Sequence, residues 1–159
     1  MDNCHLGVFN GADERVLIGE ECVLKYAELG VHGSHGKIEI RDRVTINAKM
    51  GAITSFKCSA DRFISVQPMC LLSNGIRVST EDSHQILDQD GHRMNHDKDV
   101  VFGEHVWVGE RVYICKGVSI PDNSVVAACS VLTKTYTDPN VMIAGNPAII
   151  KRRAIQWIR

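Results

Sequence analysis

Residues 102–137 read FGEHVW, VGERVY, ICKGVS, IPDNSV, VAACSV and LTKTYT, which are six consecutive units of six residues. The first position of each unit is apolar, and its occupants are Phe102, Val108, Ile114, Ile120, Val126 and Leu132. The fifth position is small or β-branched in the first five units, with Val106, Val112, Val118, Ser124 and Ser130. The third and fourth positions include turn formers such as Gly117 and Asn123, which tolerate the dihedrals of a tight corner. This period indicates a short strand, a corner and another short strand.

The same period continues upstream of residue 102. The units IGEECV (18–23), VQPMCL (66–71) and LSNGIR (72–77) fit it, whereas IRDRVT (40–45) and INAKMG (46–51) lie two residues out of step. An insertion between coils would explain that slip. Six units in a row cannot keep one helical stripe, and Pro121 also opposes a helix. The sequence therefore predicts an all-β parallel solenoid in which apolar first positions stack from coil to coil.

Composition limits the classes of function. A chain of 159 residues with 44% hydrophobic residues fits one domain with a real core. A net charge of −1 argues against a nucleic-acid partner, which would need a basic surface. The apolar runs are too short to cross a membrane, and the first residues, MDNCHLGVFNG, do not have the features of a signal peptide. We therefore expect no integral membrane segment and a cytoplasmic location.

The six cysteines contain no CxxC pair, which argues against a zinc or redox motif. Cys22 and Cys70 fall on fifth positions of the repeat, where the side chain points inward. We therefore expect cysteines used mainly as small buried side chains.

Two longer stretches resemble a known family. The run 101–153, which contains HVWVG and AGNPA, and the segment CLLSNGIRVSTEDSH (70–84) are similar to the hexapeptide-repeat acyltransferases. The combination of DSH, HVWVG and AGNPA most resembles O-acetyltransferases of capsular and lipopolysaccharide sugars. The resemblance implies a left-handed parallel β-helix of triangular section with three hexapeptides per coil. It also implies a homotrimer with active sites between neighbouring prisms.

The domain organisation follows from the repeat. We expect a left-handed β-helix domain over 1–147, interrupted by one protruding loop at about 79–101. Residues 148–159, AIIKRRAIQWIR, carry apolar residues at roughly helical spacing. This spacing predicts a short C-terminal helix that caps the open end of the solenoid, which would otherwise invite edge pairing.

The polar loop STEDSHQILDQDGHRMNHDKDVV interrupts the repeat and is the place where we expect the chemistry. Acyl transfer to a hydroxyl needs a base, and an imidazole titrates near working pH. His84 matches the general base of the resembling enzymes. A carboxylate would orient its ring, with Asp82 nearest in sequence; Glu81, Asp88 or a backbone carbonyl are alternatives.

The resemblance also assigns binding residues. It places Trp107, His105 and Asn95 at the acceptor. It places acetyl-CoA on a set along the C-terminal coils, namely Trp107, Ala128, Thr133, Lys134, Ala144, Gly145 and Arg152. Lys134 and Arg152 would meet phosphates.

Together these features predict transfer of an acetyl group from acetyl-CoA to a hydroxyl of a sugar or polysaccharide unit. Direct transfer in a ternary complex is favoured over an acyl-enzyme on Cys115 or Cys129, because both cysteines sit in regular repeats. The nearest alternative is an N-acetyltransferase acting on an amino sugar. A zinc hydratase of the gamma carbonic anhydrase type is less favoured, because His92 and His96 lack a convincing third ligand and no metal is required. A non-catalytic trimeric scaffold is the remaining alternative.

Overall fold

The computed structural model describes residues 4–9 and 11–159. Residues 1–3 and 10, which belong to the predicted domain 1–147 and to the N-terminal stretch considered above, lie outside the described residues. All the regular structure in the described part is β-strand, and none of it forms a helix that could cross a membrane. The chain enters three sheets in turn, which we call the first, second and third face.

The three faces contain eighteen strands. The first face consists of β1 (His5–Phe9), β4 (Ala27–His32), β7 (Thr54–Ser59), β10 (Arg77–Ser79), β13 (Tyr113–Ile114) and β16 (Val131–Leu132). The second face consists of β2 (Arg15–Ile18), β5 (Lys37–Ile40), β8 (Phe63–Val66), β11 (Val100–Phe102) and β14 (Ser119–Ile120). The third face consists of β3 (Val23–Lys25), β6 (Thr45–Asn47), β9 (Leu71–Leu72), β12 (Trp107–Val108), β15 (Val125–Val126), β17 (Met142–Gly145) and β18 (Ala148–Arg152).

Each turn of the chain adds one strand to each face until β16, after which the second face receives no further strand. Neighbouring strands of a face are one turn apart and pair in parallel, apart from the antiparallel pair β17–β18. This is a triangular β-helix. Phe102 pairs with Ile120, and Val108 pairs with Val126, so equivalent first positions lie three hexapeptides apart. The stacking expected from the sequence is therefore confirmed.

Inward positions of the repeat form one apolar core. All six first positions between Phe102 and Leu132 are fully buried, and so are the five fifth positions between Val106 and Ser130. Cys70 is also buried, and burial raises the pKa of its thiol to about 12. Cys22 is half-buried, and its Sγ lies 3.0 Å from the Arg41 carbonyl. Of the six cysteines, Cys58 and Cys70 are buried, Cys4, Cys22 and Cys115 are half-buried and Cys129 is exposed, so the prediction of mainly buried cysteines is confirmed only in part.

The corners of the regular coils use the fourth position of each unit. The residues there have positive φ angles and are His105 (55°), Arg111 (53°), Gly117 (76°), Asn123 (56°) and Cys129 (60°). Four of the five are not glycine, so most of these corners carry the steric cost of a left-handed backbone. The second position is tight for a different reason. A Cβ on Gly109 would lie 2.7 Å from the backbone nitrogen of Ala128 in the next coil.

The out-of-step units lie between two longer coils: Ile18 pairs with Ile40, 22 residues later, and Ile40 pairs with Val66, 26 residues later, against 18 residues in the regular array. Part of the extra length after Ile40 lies in the corner between β6 and β7. Residues 48–53 form an excursion closed by an antiparallel bridge between Lys49 and Ala52. Met50, at the fifth position of the unit 46–51, is 82% exposed and so does not point into the core. The frame therefore slips at a corner while the ladder of core side chains continues, as the insertion hypothesis required.

The predicted C-terminal capping helix is wrong. Residues 148–152 form β18, which pairs antiparallel with β17 and places Ile150 opposite Ile143. Ala148 is buried, Ile149 is exposed and Ile150 is half-buried, which is a period of two rather than a helical period. The unpaired edge of β17 offered hydrogen bonds that a helix would have left unmade. The cap is therefore a strand, followed by an extended tail at 153–159.

Candidate active site

The loop leaves the corner between the first and second faces, and its bounds are 80–99, close to the predicted 79–101. Its first residue is anchored inside the prism. The buried Thr80 hydroxyl accepts a hydrogen bond from the Ser59 amide at 2.8 Å and lies 2.9 Å from the Ser59 hydroxyl. The residues after Thr80 are therefore projected from a fixed point on a rigid scaffold.

His84 lies in the outgoing segment of this loop and is exposed. Among the described residues, its ring makes no hydrogen bond or ion pair. The backbone before it turns sharply, because Ser83 has a positive φ of 68°. The ring is thus available to an incoming group, as a general base must be.

Asp82 is held by groups other than the His84 ring. Its Oδ2 accepts hydrogen bonds from Lys116 Nζ at 2.5 Å and from Asn95 Nδ2 at 2.9 Å. These two hydrogen bonds, that of Lys116 foremost, hold the pKa of the Asp82 carboxyl below its usual range. The structure therefore does not bring the predicted His84–Asp82 pair into contact, and Asp82 is ionised as a partner of a lysine.

Asn95, predicted to contact the acceptor, uses its amide within the loop. Its Nδ2 also donates to the His84 carbonyl at 2.8 Å, and its Oδ1 accepts from the Ile86 amide at 2.7 Å. The Asn95 side chain therefore joins the returning segment of the loop to the outgoing segment that carries His84.

His105 and Trp107 lie together, and a third aromatic residue joins them. The His105 ring stacks on Trp157 with centroids 4.0 Å apart, and Trp157 Nε1 donates to the His105 carbonyl at 3.0 Å. The rings of Trp107 and Trp157 are 6.0 Å apart. His105 Nδ1 also lies 3.0 Å from Asn123 Oδ1. His105 is thus covered by the C-terminal tail, whereas Trp107 stays 40% exposed on the third face.

His84 and Trp107 lie on different sides of one prism. The loop leaves the corner between the first and second faces, and the third face lies opposite that corner in a triangular section. A single chain therefore does not bring the two predicted site residues together.

Most of the residues assigned to the coenzyme share the C-terminal end of the prism. Ala128 follows β15, and Ala144 and Gly145 end the neighbouring β17. Gly145 donates its amide to Ser130 Oγ at 3.2 Å. Ala128 and Gly145 are exposed, so backbone is accessible along this corner.

Thr133 and Lys134 follow β16 at the next corner, and both are exposed. Beside them lies a polar depression of about 310 Å³ lined by Lys134, Thr135, Thr137 and Arg153 among others. Arg153 is ion-paired with Asp138 at 3.0 Å. Two cations and two hydroxyls suit an anionic ligand. The cations that line the depression are Lys134 and Arg153, whereas the predicted Arg152 lies on β18.

The loop histidines His92 and His96 are not arranged as the helical turn considered above. Residues 92–96 are not a helical turn, because Arg93 forms an antiparallel bridge with Leu87. His92 Nδ1 lies 3.4 Å from Asp88, whose Oδ1 accepts the amides of Asp90 and His92. The carboxylate of Asp88 therefore closes a tight turn at the exposed tip of the loop.

A groove runs along the outer surface of the first face towards the loop. One depression, of about 460 Å³, is lined by residues of β1, β4 and β7, including Glu28, Ser55 and Lys57. A second, of about 270 Å³, shares Ser55 and Lys57 and continues to Asp82 and Ser83. The groove combines polar and apolar lining and ends at Asp82 and Ser83, beside the segment that carries His84.

Three residues of this region were not found by sequence reasoning: Lys57, Lys116 and Trp157. The two lysines lie far from the loop in sequence, and their position became visible only when the coils stacked. The sequence signal for Trp157 is a tryptophan among the apolar residues of the tail, but their spacing also predicts a helix, which would not place Trp157 on His105.

No protein-family model matches the chain, but individual proteins do. Polysialic acid O-acetyltransferase of Escherichia coli O1:K1 / APEC is 33% identical over 125 residues, which are 77% of this chain and 38% of that protein. Galactoside O-acetyltransferase of Escherichia coli strain K12 is 30% identical over 128 residues, which are 80% of this chain and 60% of that protein. The chain thus spans less than two thirds of the length of these relatives.

A solved structure of a polysialic acid O-acetyltransferase is similar in fold, with a TM-score of 0.62 and 27% identity over 97% of this chain and 91% of that one. The likeness confirms the left-handed β-helix. Fold, repeat and protruding loop define a hexapeptide-repeat protein. With the sequence matches, the chain belongs to the hexapeptide-repeat acyltransferases, as the resemblance implied.

Proposed function

We propose that this protein transfers an acetyl group from acetyl-CoA to a hydroxyl of a sugar or polysaccharide unit. The observation that carries the proposal is the exposed imidazole of His84, which makes no hydrogen bond or ion pair among the described residues and directly follows Asp82 and Ser83 at the end of the groove. The relatives named above are sugar O-acetyltransferases, which supports the same activity here. A donor made inside the cell also fits the cytoplasmic location expected from the sequence.

In the proposed reaction, His84 accepts the proton of the acceptor hydroxyl as its oxygen attacks the thioester carbonyl. The new carbon–oxygen bond forms and the carbon–sulfur bond breaks, so that the coenzyme leaves as a thiolate. The proton held by His84 then passes to that sulfur. General-base assistance of this kind contributes roughly 10²–10⁴-fold to the rate.

The groove on the first face is the proposed acceptor site. It is lined by hydroxyl, carboxylate, imidazole and ammonium groups, among them Glu28, His32 and Ser55. Such groups hydrogen-bond the hydroxyls of a sugar, and a groove over several coils suits an extended acceptor. The polar depression at Lys134 is the proposed site for the anionic end of the coenzyme, and the exposed backbone near Ala128 and Gly145 suits its pantetheine arm.

The proposal includes a homotrimer. His84 and Trp107 face different sides of one prism, so a neighbouring copy is needed to bring both to one reaction centre. The loop also exposes three apolar side chains, Ile86 (57%), Leu87 (51%) and Met94 (66%), which a neighbouring prism could cover. Light scattering should give three times the chain mass of 17.6 kDa.

The activity is tested by CoA release from acetyl-CoA with oligosialic acid, galactosides and glucosamine as acceptors. We expect release with a hydroxyl acceptor and an O-acetyl ester as the product. His84→Asn should lower kcat/KM by about 100-fold or more, because the ring no longer accepts a proton. His92→Asn in the same loop is the matched control and should keep its rate. An unchanged rate in His84→Asn, or an amide product, would contradict the proposed reaction.

A further inference from the structure

The segment that carries His84 is held from both sides by lysines of adjacent coils. Lys57, on β7 in the preceding coil, pairs with Glu81 at 2.8 Å and donates to the Ser83 hydroxyl at 3.0 Å. Lys116, at the corner after β13 in the following coil, pairs with Asp82. Three successive residues of the loop, 81–83, are thus fixed to the prism immediately before His84.

Asn95 completes this arrangement at His84 itself. The Asn95 Nδ2 donates to both the Asp82 carboxylate and the His84 backbone carbonyl. The backbone carbonyl of Asn95 accepts a hydrogen bond from Lys116 Nζ at 2.8 Å. Lys116 therefore contacts both the outgoing and the returning segment of the loop. The His84 backbone is linked to Lys116 and Asp82 through Asn95.

Each of the two ion pairs joins a largely buried side chain to a partner that is about two-fifths exposed, whereas ordinary surface ion pairs, which contribute little, have both partners in solvent. The Lys116 side chain is only 15% exposed, and that of Glu81 is 19% exposed. Loss of Asp82 would leave the Lys116 ammonium half-desolvated with only a carbonyl as partner. Asp82, Asn95 and Lys116 each take part in more than one of these hydrogen bonds, so that each bond restrains the others.

We propose that Lys57, Lys116 and Asn95 are positioning residues for His84. The inference rests on the proposed function, in which His84 is the base. Since the His84 ring has no side-chain partner among the described residues, its direction follows from the backbone on which it stands. Asp82 acts on that backbone through Lys116 and Asn95, and it does not act as a partner of the imidazole. A displacement of about 1 Å at a reacting group can cost about 100-fold in rate.

The main test is Lys116→Met, which keeps the aliphatic stem and removes the charge. We expect kcat to fall about 10- to 100-fold, while KM for acetyl-CoA and for the acceptor stay within about twofold. The melting temperature should change little, because the loop lies outside the prism. Lys116→Arg should restore most of kcat. Lys98→Met is the matched control, since Lys98 is a lysine of the loop that carries His84 and forms no ion pair among the described residues.

Asn95 is tested separately, because it was predicted to bind the acceptor. Asn95→Ala should lower kcat with an unchanged acceptor KM. A raised acceptor KM with an unchanged kcat would assign Asn95 to acceptor binding and overturn its positioning role. Lys57→Met should likewise lower kcat, and a change confined to the acceptor KM would remove Lys57 from the proposal.

Amide hydrogen exchange tests the restraint by Lys116 independently of the proposed function, because it does not depend on enzyme activity. Amide exchange in 81–86 should speed up at least tenfold in Lys116→Met and stay unchanged in Lys98→Met. If the wild type transfers no acetyl group but exchange changes as expected, the proposed function fails and the restraint by Lys116 stands. If His84→Asn is inactive but Lys116→Met keeps both kcat and exchange within twofold of wild type, the positioning role is wrong.

Discussion

The regular array at 102–137 and the loop at 80–99 are neighbours in the chain but are held by different interactions. In the array, side chains such as Phe102 and Ile114 are fully buried and pack on equivalent positions in adjacent coils. In the loop, residues 82–92 are all exposed, and order comes from hydrogen bonds and ion pairs to the prism. The array can therefore vary its surface freely, whereas the loop depends on single polar side chains.

This difference has a functional consequence. A rigid core supplies fixed anchoring points, and an exposed segment supplies groups that can meet a substrate. Substitutions in the array should therefore lower mainly stability, whereas substitutions in the loop should lower mainly turnover.

The largest effect on stability is expected at Phe102. Phe102→Ala removes a fully buried ring from the core and should lower the free energy of unfolding by about 3–5 kcal/mol. Gln89→Ala, at an exposed polar position at the tip of the loop, should stay within about 0.5 kcal/mol. Urea denaturation at one fixed protein concentration measures both. Equal losses would mean that the loop belongs to the core.

A smaller effect is expected at Gly109, where the coils approach closely. Gly109→Ala would place a Cβ 2.7 Å from the Ala128 backbone nitrogen, so one coil must shift, at a cost of about 1–3 kcal/mol. Glu110→Ala, at the adjacent exposed position, should be nearly neutral. A Gly109→Ala variant as stable as the wild type would show that the coils can separate without cost.

The tail provides an intermediate case, because it does not repeat but packs on the array. Trp157→Ala loses the stacking on His105 and the bond to its carbonyl, and it should cost about 1–2 kcal/mol in thermal unfolding. Trp157→Phe should recover the stacking part. If the tail is detached in solution, both variants will have the same melting temperature as the wild type.

The smallest effect concerns the buried thiols. Burial raises the pKa of Cys70 to about 12 from 9.0, so the unfolded state loses its thiol proton first as pH rises. The stability supplied by this shift is complete below pH 9 and declines towards the folded pKa, by about 1 kcal/mol at pH 10. Cys70→Ala should show a shallower decline in denaturation above pH 9. In the native protein at pH 8, exposed Cys129 should react with iodoacetamide while Cys70 stays unmodified.

Much of the array could be predicted from sequence because its rule is local. A six-residue period specifies which side chains face inward, and the stacking of Val108 on Val126 follows from that period alone. The C-terminal residues could not be predicted in the same way. Ile149 and Ile150 fit a helical spacing, but the free edge of β17 determined their conformation, and that edge exists only in the folded protein.

The sequence by itself determined the β-helix and the position of the loop, because repeat period and local composition carry that information. Its resemblance to the hexapeptide-repeat acyltransferases indicated His84 as the candidate base. Only the tertiary structure decided how His84 is supported. The lysines on either side of it come from coils well before and well after the loop, and Trp157 reaches His105 across most of the C-terminal half. Contacts of this kind depend on which residues the stacking of coils brings together, and no local pattern encodes them.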